Sequence, residues 1–220
     1  MTRAVRAVAL AAGLLVFGVS PATGQEASAS EVLEAAALRY SQVESLCADF
    51  VQELSVPLLG EERTGQGRMC QAQPDRFAMR FSEPPGDAVV VDGTWVWVYY
   101  PSLDEKQVIK FPIAGGSRGF DFHREFLDDP ATKYETTYET REAVGLHDTH
   151  RIRLVPRAAA SYVAAVIWVD AGSPVLRRVR IEDENGSVRT ITLENVELDP
   201  DVDADWFTFT PPPGAVVISR

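Results

Sequence analysis

The chain carries few side chains that could do covalent chemistry. Its three histidines are His123, His147 and His150, and the last two flank Asp148 in "HDTH". A zinc site draws paired Cys or His ligands at characteristic separations. "HDTH" does not match that pattern and reads as a surface hairpin turn. The Gly-x-Ser-x-Gly match "GGSRG", residues 115–119, stands in a chain of short antiparallel strands rather than the alternating strand–helix pattern in which a nucleophile elbow works, and no phosphate loop or dinucleotide fingerprint occurs in the chain. The acidic run "ELDPDVDAD" lacks the ligand positions of a calcium loop and reads as a solvated segment. With no setting that would activate a nucleophile and no ligand set, the expectation is a protein that is not an enzyme and uses no cofactor and no metal.

What the chain offers instead is a strand that is bulky and apolar on both faces. "TWVWVYY" has Trp95, Trp97 and Tyr99 on one parity of a strand, with Val96, Val98 and Tyr100 on the other. A sheet that is half packed and half wet alternates apolar with polar residues, so a strand that is bulky on both sides needs cover on each. "RFAMRF" adds Phe77, Met79 and Phe81 on one parity, "DAVVVD" adds Val89 and Val91, and "DFVQEL" contributes Phe50. These nine residues, Phe50, Phe77, Met79, Phe81, Val89, Val91, Trp95, Trp97 and Tyr99, are either a packed core or the wall of a hollow that holds something greasy.

The elements that would position them follow from periodicity. "EVLEAAALRYSQVESL", residues 31–46, has Val32, Ala36, Tyr40 and Val43 on one helical face, with Ser28 and Glu31 spaced as a capping box. From Asp49 onward the pattern is short strands divided by turn residues, such as Asp92–Gly93 and the two-residue turn candidate Asn185–Gly186. "WFTFTPP" reads as the last strand. The middle segment "GGSRGFDFHREFLDDPATKY" breaks the rhythm and reads as one or two short helices. Phe120, Phe122, Phe126 and Leu127 would supply their apolar side, meeting Trp95–Tyr99. The expectation is mainly β: one strongly curved antiparallel sheet of ten to eleven strands, with short helices against its concave side.

The first residues read as a signal peptide: Arg3 and Arg6, then "AVALAAGLLVFGV", then small residues up to a cleavage point after Gly24. Residues 25–220 would then form a single exported domain. The 21 bases less Arg3 and Arg6 make 19 against 32 acids, a net charge of −13 after cleavage. A field of that sign disfavours nucleic acid and anionic membrane surfaces as partners. Cys47 and Cys70 are the only cysteines. They fall opposite each other if the intervening segment is a hairpin centred between Leu58 and Leu59. In an oxidising compartment they form a disulfide or stay as two buried thiols.

Four blocks in this order, "YSQVESLCADFVQE", "GQGRMCQAQPDRFAMRFSEP", "VVVDGTWVWVYYP" and "ITLENVELDPDVDADWFTFTPPPGAVVI", resemble the periplasmic outer-membrane lipoprotein carriers, the LolA-like proteins. The resemblance implies an unclosed β-barrel with a helical lid over an apolar cavity for lipoprotein acyl chains. It implies delivery of cargo from an inner-membrane ABC transporter to an outer-membrane receptor, by a monomer in the periplasm. Phe77, Met79 and Phe81 match the family's cavity strand, and Asp92, Gly93 and Trp97 match its Asp-Gly-x-x-x-Trp turn. One departure is Gln73, before Pro74, where the family has an arginine that holds the lid closed. Glutamine lacks the charge and the five-donor fork of guanidinium, so another group must share that work or the lid is looser. A carrier of another lipid or glycolipid, or a lipid sensor of the same fold, would share the cavity.

Overall fold

The structure, a computed structural model, describes residues 27–113 and 122–219. The expected signal peptide, the first residues of the middle segment "GGSRGFDFHREFLDDPATKY" and Phe120 lie outside the described residues. Helix α1 (Ala29–Ser41) opens with the capping box: the Ser28 hydroxyl accepts from Glu31 N, and the Glu31 carboxylate accepts from Ser28 N. The helix ends at Ser41 rather than at 46. Residues from Ser45 join the sheet because they find strand partners on both sides.

Strands β1 (Ser45–Val56), β2 (Glu61–Ala72), β3 (Arg76–Glu83), β4 (Ala88–Asp92), β5 (Trp95–Tyr99) and β6 (Gln107–Pro112) form an antiparallel meander. Two short helices follow, α2 (Phe122–Leu127) and α3 (Pro130–Lys133). Strands β7 (Tyr134–Val144), β8 (His147–Pro156), β9 (Ala164–Asp170), β10 (Leu176–Glu182) and β11 (Val188–Leu198) make a second meander. Pairing of β1 with β11 fuses the two halves into one sheet. A last strand, β12 (Val216–Ser219), adds to β6 in parallel, so the order is β12-β6-β5-β4-β3-β2-β1-β11-β10-β9-β8-β7. Twelve strands replace the expected ten to eleven, and β7 and β12 are the two edges of an unclosed sheet. "WFTFTPP" is not a strand: a 3-10 turn occupies Ala204–Phe207.

Two turns differ from expectation. Glu182 pairs with Val188, Asp183 N–H and Ser187 C=O are bonded, and Gly186 N–H bonds Asp183 C=O with Gly186 at φ +80°. The loop is therefore three residues long, with glycine in the left-handed position such loops require. The β7–β8 turn is Gly145–Leu146, so His147 and His150 lie on β8 rather than in the turn.

Register decides which side chains face inward, because residues directly opposite each other share a face. Phe77 lies opposite Val91, and Val91 opposite Val96; Met79 lies opposite Val89, and Val89 opposite Val98. This set, with Phe50, Phe81, Leu193, Ile191 and Ile167, forms the concave face and its main core with the helices. The other face carries Cys47 opposite Cys70, Cys70 opposite Ala78, Ala78 opposite Val90 and Val90 opposite Trp97. Cys47 and Cys70 are joined in a disulfide on that convex side. Trp95, Trp97 and Tyr99 thus stand on the convex face, not on the cavity wall. A strand apolar on both sides carries no parity signal of its own.

The convex face has its own cover. The segment after β11 lays Trp206, Phe207 and Phe209 over it, with Phe209 5.7 Å from both Trp97 and Tyr99 ring centroids. Arg80 fastens that segment by donating to the carbonyls of Trp206 (3.0 Å) and Thr208 (2.8 Å). Asp92 accepts the Trp97 indole N–H at 2.8 Å, and Lys110 Nζ lies 3.9 Å from the Trp95 ring centroid. The doubled apolar strand is a sheet packed on both sides.

Candidate functional site: the concave face and its helical roof

The concave wall is built from alternate residues of neighbouring strands. Phe50, Phe77, Met79, Phe81, Val89 and Val91 are all buried there, as their shared parity requires. Val96 continues the wall on β5, and Val98 and Tyr100 pack against it. Phe50 and Phe81 meet edge to face at 4.9 Å, and Phe81 meets Tyr100 at 6.3 Å. Gly65 makes room for that arrangement: a Cβ there would lie 2.8 Å from the Phe81 ring.

Helices α1 and α2 roof this wall. Phe122, Phe126 and Leu127 are buried in the same core as Phe77 and Val91. Phe122 approaches Phe77 edge-on, and Phe126 lies 6.2 Å from Tyr134 and 6.0 Å from Tyr162. Phe122 thus meets Phe77 and Phe126 meets these two tyrosines, while the rings of Trp95, Trp97 and Tyr99 lie behind the sheet. His123 is buried and stacks flat on Tyr40 of α1, with centroids 4.4 Å apart. Neither His123 nitrogen has a hydrogen-bond partner. Burial pushes its pKa down to about 3, so the ring is neutral.

Polar ties hold α2 on two sides. Arg124 donates to the Pro74 carbonyl at 3.2 Å and to Asp75 Oδ1 at 2.5 Å, joining α2 to the β2–β3 turn. Glu125 takes the Tyr162 hydroxyl at 2.6 Å and the Tyr134 hydroxyl at 2.9 Å. Burial and the bond to Glu125 both push the Tyr162 pKa up. Lys133 donates to the carbonyls of Arg124 and Glu125 at 3.2 and 3.3 Å, satisfying groups left free at the end of α2. Gln73 donates its amide to Val43 O at 2.9 Å, in the link between α1 and β1. Its bond therefore reaches the α1 side of the roof, while the charged contact from the same turn to α2 comes from Arg124. Periodicity puts Tyr40 on the inner face of α1 but not against His123, and it does not point to Arg124, Glu125, Tyr134 or Tyr162, because side chains on separate elements meet only through topology.

Beyond Phe81 the wall opens into a cavity of about 600 Å³ lined by sheet and loop residues, including Gln52, Leu54, Arg63, Tyr100 and Arg189. Among the described residues no group of three or more His, Cys, Asp or Glu could hold a metal. His147 instead contacts Asp170 at 2.8 Å, and His150 contacts the Tyr138 hydroxyl at 3.1 Å. The chemistry this arrangement supports is removal of apolar groups from water. Each methylene taken into such a site is worth about 0.8 kcal/mol.

Residues 41–210 match the family model described as outer membrane lipoprotein carrier protein LolA. The outer-membrane lipoprotein carrier protein of Alkalilimnicola ehrlichii is 32% identical over 93% of this chain and 90% of its own length. That of Shewanella sediminis is 25% identical over 96% of this chain and 93% of its own. Among solved structures, an uncharacterized conserved protein from Thermus thermophilus shares the fold at a TM-score of 0.55 and 16% identity, over 87% of this chain and 99% of its own. No helix of the described residues is long and apolar enough to cross a membrane.

Proposed function

Because the chain belongs to the LolA family of outer-membrane lipoprotein carriers, we propose that its concave face holds the acyl chains of a lipoprotein and that α2 is the lid displaced by them. The observation that supports this reading is the seating of Phe122, Phe126 and Leu127 on the apolar wall that cargo would need. Roof and cargo compete for one surface, so affinity is the difference between two hydrophobic terms rather than the whole of one. Such a balance suits a carrier, which must release what it binds.

In this reading the protein is exported after cleavage following Gly24 and works in the periplasm as a monomer, not as an enzyme. It takes lipoproteins from an inner-membrane ABC transporter and gives them to an outer-membrane receptor. The wall is Phe50, Phe77, Met79, Phe81, Val89 and Val91; Trp95, Trp97 and Tyr99 brace the back of the sheet instead. Native mass spectrometry of protein recovered from the periplasm tests the reading. A bound triacylated polypeptide supports it; a bound phospholipid or glycolipid with no lipoprotein in any preparation sinks it.

A further inference from the structure

The cavity beyond Phe81 differs from the roofed wall in its polar groups. Leu54 on β1 lies opposite Arg63 of β2 on one side and Arg189 of β11 on the other, so both guanidiniums share its concave face. Gln52, two residues earlier, shares that face as well. Arg63 is engaged: it donates to Glu61 at 2.6 Å. The cavity's acids are engaged too. Asp87 accepts from the Ser102 hydroxyl at 2.6 Å and its N–H at 3.1 Å, and Glu83 accepts from Gln66 at 3.2 Å.

Arg189 is not. Among the described residues its guanidinium has no hydrogen bond, ion pair or ring contact, and the Tyr100 hydroxyl and Gln52 amide likewise have no hydrogen-bond partner. All three are partly buried and line the same space. Arg189 is close enough to Tyr100 to draw its pKa down, against the larger upward push of burial and a smaller one from Asp87. An arginine left unpaired in a chain of net charge −11 is conspicuous, because carboxylates are abundant. Guanidinium is a five-donor fork suited to phosphate or carboxylate. Phe81 and Leu54 supply apolar wall beside it.

We propose that this cavity binds the anionic head of an amphiphile, a phosphate or phosphodiester held by Arg189, Tyr100 and Gln52, with its tail laid along Phe81 toward the concave wall. This rests on the concave face being an acyl site and adds to it a preference for negatively charged heads. A lipid head group and free phosphate share the recognising chemistry; the apolar wall favours the lipid.

Calorimetric titration of the full chain tests this with tetradecyl phosphate, tetradecyl maltoside, inorganic phosphate and a synthetic triacylated peptide. The expected result is binding of tetradecyl phosphate about tenfold tighter than the maltoside, the scale of one charge-assisted contact. Arg189→Gln should erase that difference while maltoside affinity holds, which also reports that the variant is folded. Equal affinity for both amphiphiles in the wild type, or a preference that survives Arg189→Gln, overturns the proposal. Inorganic phosphate bound as tightly as tetradecyl phosphate would also overturn it, assigning a free-anion site. Binding of the triacylated peptide without a head-group preference removes the anionic subsite and leaves the carrier reading standing. Failure of the triacylated peptide while tetradecyl phosphate binds removes the carrier reading and leaves the subsite.

Discussion

Phe122 of the roof meets Phe77 of the wall edge to face, with ring centroids 6.4 Å apart. Such a pair contributes about 0.5–1.5 kcal/mol beyond the area it buries. Phe122 is not part of the proposed wall. Phe122→Ala therefore weakens closure without altering the surface that cargo touches. The expected outcome is tighter binding of a fluorescent acyl probe, with a lower melting temperature of the empty protein. Phe77→Glu has the opposite effect: it puts a carboxylate on the wall and abolishes probe binding. Circular dichroism separates that loss from unfolding.

The contact from Arg124 to Asp75 lies about one-third exposed on each side, where ion pairs contribute about 0.2–1 kcal/mol. Arg124→Ala and Asp75→Ala each raise acyl-probe affinity by up to about fivefold. Because Arg124 also bonds the Pro74 carbonyl, its removal has the larger effect. The double variant adds little beyond Arg124→Ala, which a double-mutant cycle in probe affinity reads directly. Adding salt weakens the contact in the wild type and changes nothing in Arg124→Ala.

His123 links the fold to pH. Its ring titrates near 6.5 when exposed and at about 3 in the fold. The unfolded chain thus binds a proton that the native chain does not between these values. Stability is full above about pH 6.5 and falls as pH drops toward 3, by up to about 1.4 kcal/mol per unit within that window. Any state that exposes His123, an opened roof included, gains by the same linkage. The lowered carboxyls of Asp49, Asp92 and Asp170 act elsewhere, below their ordinary 3.8. His123→Phe should keep the stack on Tyr40 and flatten the pH dependence of denaturant midpoints between pH 5 and 6.5. An unchanged slope would place the titrating group elsewhere.

The disulfide sits on the convex side with Ala78, Val90 and Phe207. Reducing it, or replacing Cys47 and Cys70 by serine, should lower unfolding stability by about 2–4 kcal/mol. Acyl-probe affinity of the molecules that remain folded should not change, and neither should it in Trp97→Ala. A matching loss of affinity in Trp97→Ala would return that ring to the cargo site.

Much of the sheet was legible because its pattern is local. The Cys47–Cys70 register followed from the centre of one hairpin, and the α1 capping box from two residues three apart. Phe77, Met79 and Phe81 share a face because strand parity admits no alternative once β3 is found. Trp95, Trp97 and Tyr99 were misplaced for the converse reason: both parities of β5 are apolar, and only pairing with β4 tells them apart. The C-terminal cover was hidden in the same way. Trp206 and Phe209 read as strand residues until the sheet supplies the surface they pack on. Glu125, Tyr134 and Tyr162 converge from a helix, a strand and a loop, and no spacing rule connects them.

Strands β7 and β12 never pair, so the wall has the form of a split ring. A closed barrel can widen only by breaking a ladder of backbone hydrogen bonds. Here the gap can spread while every rung stays intact, and the resistance comes from side-chain packing and from the polar ties that hold α2 to both halves. Girth is therefore an adjustable quantity in this molecule, and under the proposed function the same twelve strands would fit acyl groups of unequal bulk.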